Sequence, residues 1–201
     1  RAVGYKMIDW QDAHLHAFLS AKTEMEFFAS LSKAAKELGF DYCAYGMRKP
    51  LPFSNPKTFM LNNYAPAWQE RYVAENYLSI DPTVAHGMKS VLPLVWSDKV
   101  FEDCRHFWDD ANSHGVRVGW AQSSFDARGV AGLLSLARSE EPLSEAELRH
   151  NAPRMSWLVQ LAHERMTSLL SAKGGSDEAV ALTARETEVL RWTADGKTSS
   201  E

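Results

Sequence analysis

The apolar positions after Thr23 repeat at the three- and four-residue spacing of one helical face. They are Phe27, Leu31, Ala34 and Leu38. Thr23 and Glu26 have the spacing of a capping box, in which each side chain accepts the other residue's backbone N–H. Gly39 supplies the left-handed residue that ends many helices. The pattern therefore predicts a helix between Thr23 and Gly39, and an apolar stretch over 8–19 predicts a shorter one before it.

Two pairs of segments have the character of strands. Residues 40–46 alternate in polarity and are rich in aromatic side chains, and residues 58–63 form a second strand-like segment. The prolines between them donate no ladder hydrogen bond, so 49–56 is predicted to be an irregular loop. Residues 116–125 and 130–138, joined by a turn, predict a hairpin.

Short helices are predicted between the two strand pairs. Pro66 suits the first turn of a helix over 66–77. A second helix follows over 82–87, and a third covers 107–114. The apolar run 91–95 between them has the character of a strand.

A long helix is predicted after the capping box of Ser144 and Glu147. Its apolar seam consists of Leu148, Ala152, Met155, Val159, Ala162, Met166 and Leu169. Pro153 lies inside this segment and is expected to kink or interrupt its first turns. The seam can cover the domain's own sheet or pair with a second copy of the chain, and we expect it to do both.

The order of elements predicts an α+β fold, an α-β-α sandwich with a central, mainly antiparallel sheet flanked by helices on both faces. We expect one domain over 1–170 and a flexible linker over 171–181, which is rich in Gly and Ser. A third capping box at Thr183 and Glu186 opens a further helix in 182–201. We expect both chain ends to be incomplete.

Composition is that of a soluble globular protein, with 45% hydrophobic and 24% charged residues and a net charge of -4. No polybasic arm or long apolar run suggests a membrane partner. Cys43 and Cys104 lie far apart, so we expect reduced thiols and a cytoplasmic location.

Motifs for catalysis are missing from the sequence. It has no G-x-S-x-G elbow, no glycine-rich phosphate loop and no H-E-x-x-H, and the seven histidines lack ligand spacing. We therefore expect no enzyme, no metal and no cofactor.

The most informative region runs from Tyr64 to Trp96. Trp68 and Tyr72 lie one helical turn apart, and Asp81 stands between apolar neighbours. Aromatic residues at these spacings are usually plain core. A buried carboxylate, however, needs donors, and indole and phenol groups need partners. The set suits a pocket for a neutral, amide-bearing ligand with an apolar tail.

These residues resemble the autoinducer-binding domain of LuxR-type quorum-sensing regulators. The motif consists of Tyr64, Trp68, Tyr72, Asp81-Pro82, Trp96 and Gly119. Residues 182–197 resemble the first helix of the helix-turn-helix domain of the same family, so a truncated all-α domain is expected there. Together the two motifs cover the chain from about residue 10.

The resemblance implies a ligand, an N-acyl-homoserine lactone, and a contact for each of its polar groups. Trp68 would donate its indole N–H to the lactone carbonyl, and Asp81 would accept the amide N–H. Tyr64 and Ser135 would hold the acyl carbonyl. The lactone ring would be walled by Trp96, Phe101, Trp108 and Val116. The acyl channel would be lined by Ala44, Gly46, Met60, Tyr72 and Val84, with Thr83 near the amide.

Some positions depart from the family pattern. Ala121 lacks a hydroxyl found in some members, and Phe101 replaces a tyrosine. Arg71 can reach the ligand through water or face solvent, and we favour solvent. Ala44, Ala131 and Gly132 are small enough to leave room for a tail.

The implied function is a ligand-responsive transcription regulator that forms homodimers. The segment 182–201 is not basic and lacks a recognition helix, so we expect DNA binding only from the full-length protein. The alternative is a sensor of the same fold that binds a different small molecule, or none, and acts through protein contacts.

Overall fold

The computed structural model describes residues 2–49, 58–173, 183–194 and 196. The chain divides into two compact units, 1–169 and 170–201. Most of the predicted proline-rich loop and of the predicted linker lies outside the described residues.

The first unit places helices and strands in the predicted order. Its helices are α1 (Ala2–Ser20), α2 (Glu24–Glu37), α3 (Pro66–Ala74), α4 (Pro82–Gly87), α5 (Arg105–Ser113) and α6 (Glu145–Lys173), which continues into the second unit. Short 3-10 helices lie at Tyr77–Ser79 and Glu102–Cys104. The strands are β1 (Tyr42–Arg48), β2 (Thr58–Asn62), β3 (Leu94–Val95), β4 (Val118–Phe125) and β5 (Ala131–Arg138). In the second unit, α7 spans Ala184–Ala194.

The strands form one antiparallel sheet in the order β2-β1-β5-β4-β3. One face packs on α6, where the Tyr45 hydroxyl lies 3.0 Å from Nδ1 of His163 and Ser124 donates to Gln160. The opposite face carries Ala44 and Ser135 toward α3, α4 and α5. The predicted sandwich with helices on both faces is confirmed.

In each of the three predicted capping boxes the N-cap side chain accepts its N–H, but only the box at Thr183 also has the return bond. Glu26 N–H donates to Thr23 Oγ1 at 3.2 Å, while the Glu26 carboxylate accepts from Lys22 N–H. Thr183 and Glu186 exchange both backbone bonds. Glu147 N–H donates to Ser144 Oγ at 3.1 Å, but the Glu147 carboxylate turns to Arg138.

Several predicted boundaries were wrong for local reasons. The helix predicted over 66–77 stops at Ala74, because Asn76 adopts a left-handed φ of 53° that a helix cannot continue through. The strand predicted over 91–95 is only Leu94–Val95, since Pro93 precedes it and cannot donate a ladder bond. Helix α1 extends well before residue 8.

Helix α6 corrects three further expectations. It is continuous through the exposed Pro153, so the proline does not interrupt the helix. Ala152 is exposed, and its neighbour Asn151 is buried instead and donates to the Leu38 carbonyl at 3.4 Å. The helix includes residues 171–173, which the sequence had assigned to a flexible linker.

A buried ion pair joins the end of β5 to the start of α6. Arg138 makes two bonds to the Glu147 carboxylate, at 2.7 and 2.9 Å, and also donates to the carbonyls of Gly39, Glu141 and Pro142. The guanidinium lowers the pKa of Glu147 below its ordinary value. Because the carboxylate is favoured in the folded state, its stabilising effect is present above the ordinary glutamate pKa and lost as the pH falls through the lowered one.

We expect Arg138→Met to lower the free energy of unfolding by about 3 kcal/mol, because it leaves a partly buried carboxylate and several carbonyls without a donor. Arg149→Met is the matched control, since its pair with Glu145 is largely exposed and should contribute less than about 1 kcal/mol. Urea denaturation at neutral pH measures both. Equal losses of unfolding free energy in the two variants would contradict a larger contribution from the Arg138–Glu147 pair.

Candidate ligand-binding site

A cavity of about 240 Å³ lies between the sheet and helices α3, α4 and α5. All fourteen residues selected from the sequence line it. They are Ala44, Gly46, Met60, Tyr64, Trp68, Tyr72, Asp81, Thr83, Val84, Trp96, Phe101, Trp108, Val116 and Ser135. The structure therefore brings together side chains from positions up to 91 residues apart in the sequence.

The register of the sheet arranges the cavity floor in three rows across β2, β1 and β5. The first row is Asn62, Ala44 and Ser135, the second is Met60, Gly46 and Leu133, and the third is Thr58, Arg48 and Ala131. Successive rows are about 6.6 Å apart, because each lies two residues further along the strands.

Aromatic rings close the cavity at one end. Phe101 stacks on Trp108 with centroids 4.2 Å apart, and Trp96 meets both rings edge-on. The indole N–H of Trp108 is already bound to Asp98 at 2.8 Å. These stacked rings form a flat apolar wall.

Trp96 fits only because Gly119 has no side chain. A Cβ at Gly119 would lie 2.2 Å from Cε3 of Trp96. The indole N–H of Trp96 is buried and has no hydrogen-bond partner among the described residues. The tryptophan and glycine of the sequence motif thus act as one packing unit.

Asp81 is the buried carboxylate of the cavity. Its Oδ1 accepts from the Thr83 N–H and hydroxyl, at 2.8 and 2.7 Å, and so caps α4. Its Oδ2 accepts the Tyr72 hydroxyl at 2.9 Å. Burial raises the pKa of Asp81, and these hydrogen bonds oppose the rise. A carboxylate on the cavity lining can accept a hydrogen bond from a donor inside the cavity.

Donors accompany this acceptor. Tyr64 and Ser135 present hydroxyl groups, and Trp68 presents its indole N–H, on the cavity lining. Within the described part of the chain, no hydrogen bond connects these three polar groups to the protein. Burial and the nearby Asp81 raise the pKa of Tyr64, so its hydroxyl stays protonated and can donate. The cavity can thus bind a molecule that has both a donor and several acceptors.

Arg71 does not line the cavity, and its side chain, which is 37% exposed, faces solvent while pairing with two carboxylates. Its Nε donates to Asp110 at 2.6 Å and its second nitrogen to Glu75 at 2.8 Å. Asp110 also accepts the Tyr77 hydroxyl at 2.5 Å. The expected solvent-facing arginine thus agrees with the structure, and its ion pair with Asp110, which sequence spacing did not indicate, links α3 to α5.

Comparisons with known proteins identify the family of the chain. The autoinducer-binding-domain family matches residues 23–166. The transcriptional activator protein AnoR of Acinetobacter nosocomialis is 48% identical over 97% of this chain and 83% of its own length. The chain belongs to the LuxR-type autoinducer-binding family.

Solved structures of this LuxR-type family have the same fold. CepR2 of Burkholderia cenocepacia, an N-acylhomoserine lactone dependent LuxR family transcription factor, has a TM-score of 0.75 and 30% identity. That match covers 82% of this chain and 96% of CepR2. SdiA in complex with octanoyl-rac-glycerol has a TM-score of 0.76 and 32% identity, over 96% of this chain and 79% of SdiA.

Half of the lining of this LuxR-type cavity was not selected from the sequence. Ala131 and Gly132 were noted only as small residues. The others are Met47, Arg48, Thr58, Asn62, Gln69, Val73, Leu78, Gly87, Met88, Phe107, Ala111 and Leu133. Strand alternation would have found some, because Arg48 shares a face with Gly46, and Leu133 with Ser135. Leu78 and Met88 lie where helices end, and no periodicity marks them.

The described residues give no sign of a metal site or of a membrane span. No group of three or more potential metal-ligating side chains occurs among them. Their helices are all too short or too polar to cross a bilayer.

We expect Gly119→Ala to lower the melting temperature by several degrees, because the new Cβ would collide with the ring of Trp96. Gly46→Ala, on β1 of the same sheet, is the control, since a Cβ there would meet no atom within 4 Å. Thermal denaturation followed by circular dichroism measures both. A loss at Gly46 as large as that at Gly119 would refute the packing explanation.

Proposed function

We propose that this chain is the sensory part of a ligand-responsive, non-enzymatic transcription regulator, and that its cavity binds an N-acyl-homoserine lactone. The observation that carries the proposal is the buried Asp81 carboxylate, which shares the cavity lining with three donors that make no hydrogen bond to the described residues. Family membership supports the same conclusion, because relatives are transcription regulators.

Each polar group of such a lactone has a matching group in the cavity. The amide N–H would donate to Asp81, and the ring carbonyl would accept from Trp68. The acyl carbonyl would accept from Tyr64 and Ser135. The ring would lie against Phe101 and the other aromatic wall residues, Trp96, Trp108 and Val116. The tail would follow the floor past Ala44 and Gly46.

Tyr72 has a second contribution in this arrangement. Its ring lines the channel, and its hydroxyl holds Oδ2 of Asp81. Thr83 holds the other oxygen. The two residues together fix the carboxylate before a ligand arrives, so that less ordering is required on binding.

Ligand binding would also stabilise the fold. Each methylene buried in the channel contributes about 0.8 kcal/mol, and a ligand that binds only the folded state raises stability by mass action. We propose that the stabilised chain, as a homodimer, controls DNA binding by a C-terminal helix-turn-helix domain that starts near residue 182. In this proposal residues 1–170 are the sensory domain, and a linker joins them to the helix-turn-helix domain.

We expect Asp81→Asn to weaken binding of N-octanoyl-homoserine lactone by about 10- to 100-fold, because it replaces a charged acceptor of the amide N–H. Trp68→Phe should weaken it about tenfold by removing the indole donor. Isothermal titration calorimetry measures both, with Asp12→Asn, an exposed change on α1, as the control. Unchanged affinity in the first two variants would remove the basis of the proposed head-group contacts.

A second candidate ligand is a monoacylglycerol. The SdiA structure contains octanoyl-rac-glycerol, at 32% identity to this chain. A glycerol hydroxyl can donate to Asp81 as an amide does, and an ester carbonyl can accept from Tyr64 and Ser135.

Mass spectrometry of ligand extracted from the purified protein distinguishes the candidates. We expect a lactone when the producing cells make or receive one. An acylglycerol recovered from cells supplied with excess lactone would favour the second candidate. A stable protein without any ligand would favour action through protein contacts alone.

A further inference from the structure

The residues that line the cavity differ in exposure. At the aromatic end, Trp68 is 3%, Phe101 1% and Asp81 9% exposed. Four apolar residues elsewhere on the lining face solvent. They are Met60 at 40%, Val73 at 74%, Leu78 at 38% and Met88 at 42% exposed. We call these four residues the mouth.

A tail that follows the rows of the floor reaches the mouth at Met60. A ligand held by Asp81 and Ser135 starts at the first row of the floor, and its tail passes the second row at Gly46 and Met60. Gly46 has open space where a side chain would stand, so it imposes no wall there. Met60 belongs both to this second row and to the mouth.

Covering the exposed apolar side chains around a cavity opening is favourable in free energy. Single exposed apolar residues are common, but these four all line the same cavity and so mark where it opens to solvent. Val73 comes from α3, Leu78 from the 3-10 helix at Tyr77–Ser79, Met88 from the end of α4 and Met60 from β2. An acyl tail that leaves the cavity here would contact all four elements.

We infer that the acyl channel is open-ended, and that the mouth receives the distal part of long acyl tails. Chain-length selectivity is then one-sided. Short tails lose affinity because they leave the floor uncovered, whereas long tails extend into the mouth without meeting a wall. The inference rests on the proposed lactone function and specifies which tails that site accepts.

The test is displacement of radiolabelled N-octanoyl-homoserine lactone from the purified protein by N-butanoyl, N-dodecanoyl and N-tetradecanoyl lactones. Affinity should rise about fourfold per buried methylene from the short to the long tails, and then level off rather than fall. A loss of more than tenfold from the dodecanoyl to the tetradecanoyl lactone would indicate a closed channel and overturn the inference. Failure of every lactone to bind would instead contradict the proposed function.

Two variants locate the tail. Met88→Gln should reduce affinity for the dodecanoyl lactone two- to fivefold and leave the butanoyl lactone unaffected. The matched control is Leu92→Gln, which alters a side chain that is 69% exposed but does not line the cavity, and it should change neither affinity. Equal effects of the two glutamines on the dodecanoyl lactone would contradict a tail at the mouth.

Gly46→Val places a branched side chain in the second row of the floor. It should reduce affinity for the dodecanoyl lactone at least tenfold, with a smaller loss for the butanoyl lactone, whose tail ends nearer the first row. Unchanged binding of both would show that the tail does not pass Gly46. Circular dichroism of the valine variant checks that its fold is intact.

Discussion

The buried carboxylate of Asp81 is the interaction on which the rest of the site depends. Removing a carboxylate from water is costly unless donors surround it. Thr83 and Tyr72 supply those donors, and in doing so they fix the start of α4 and the inner face of α3. The two helices that form the roof of the cavity are thus held by the same group that can accept a ligand's N–H.

The sheet that forms the floor of the cavity is packed differently on its two faces. On the face toward α6, Tyr45 and Leu134 are fully packed. On the cavity face, β1 carries the small residues Ala44 and Gly46, and the absence of a side chain at Gly119 leaves space for Trp96. A sheet that is packed on one face and open on the other gains core stability from a molecule that fills the open side.

The sequence allowed the fold and the polar head of the site to be predicted for local reasons. Short stretches of sequence encode the helix caps at Thr23 and Ser144 and place Asp81 directly before Pro82. The failures were of another kind. Asn76 ends a helix through its own left-handed backbone, and Arg71 is paired with Asp110 only because α3 and α5 meet in space. Contacts of that kind have no signature in sequence spacing.

The same distinction explains why the head of the ligand is easier to infer than its tail. A donor or acceptor must be matched one to one, so buried polar residues such as Asp81 and Trp68 indicate the chemistry of their partner. Apolar contacts require no such one-to-one match. Met60, Leu78 and Met88 can therefore be placed on the cavity only after the helices and the strand are assembled. Polar identity therefore defines the class of ligand, whereas the exposure of the mouth defines how much of it the protein can enclose.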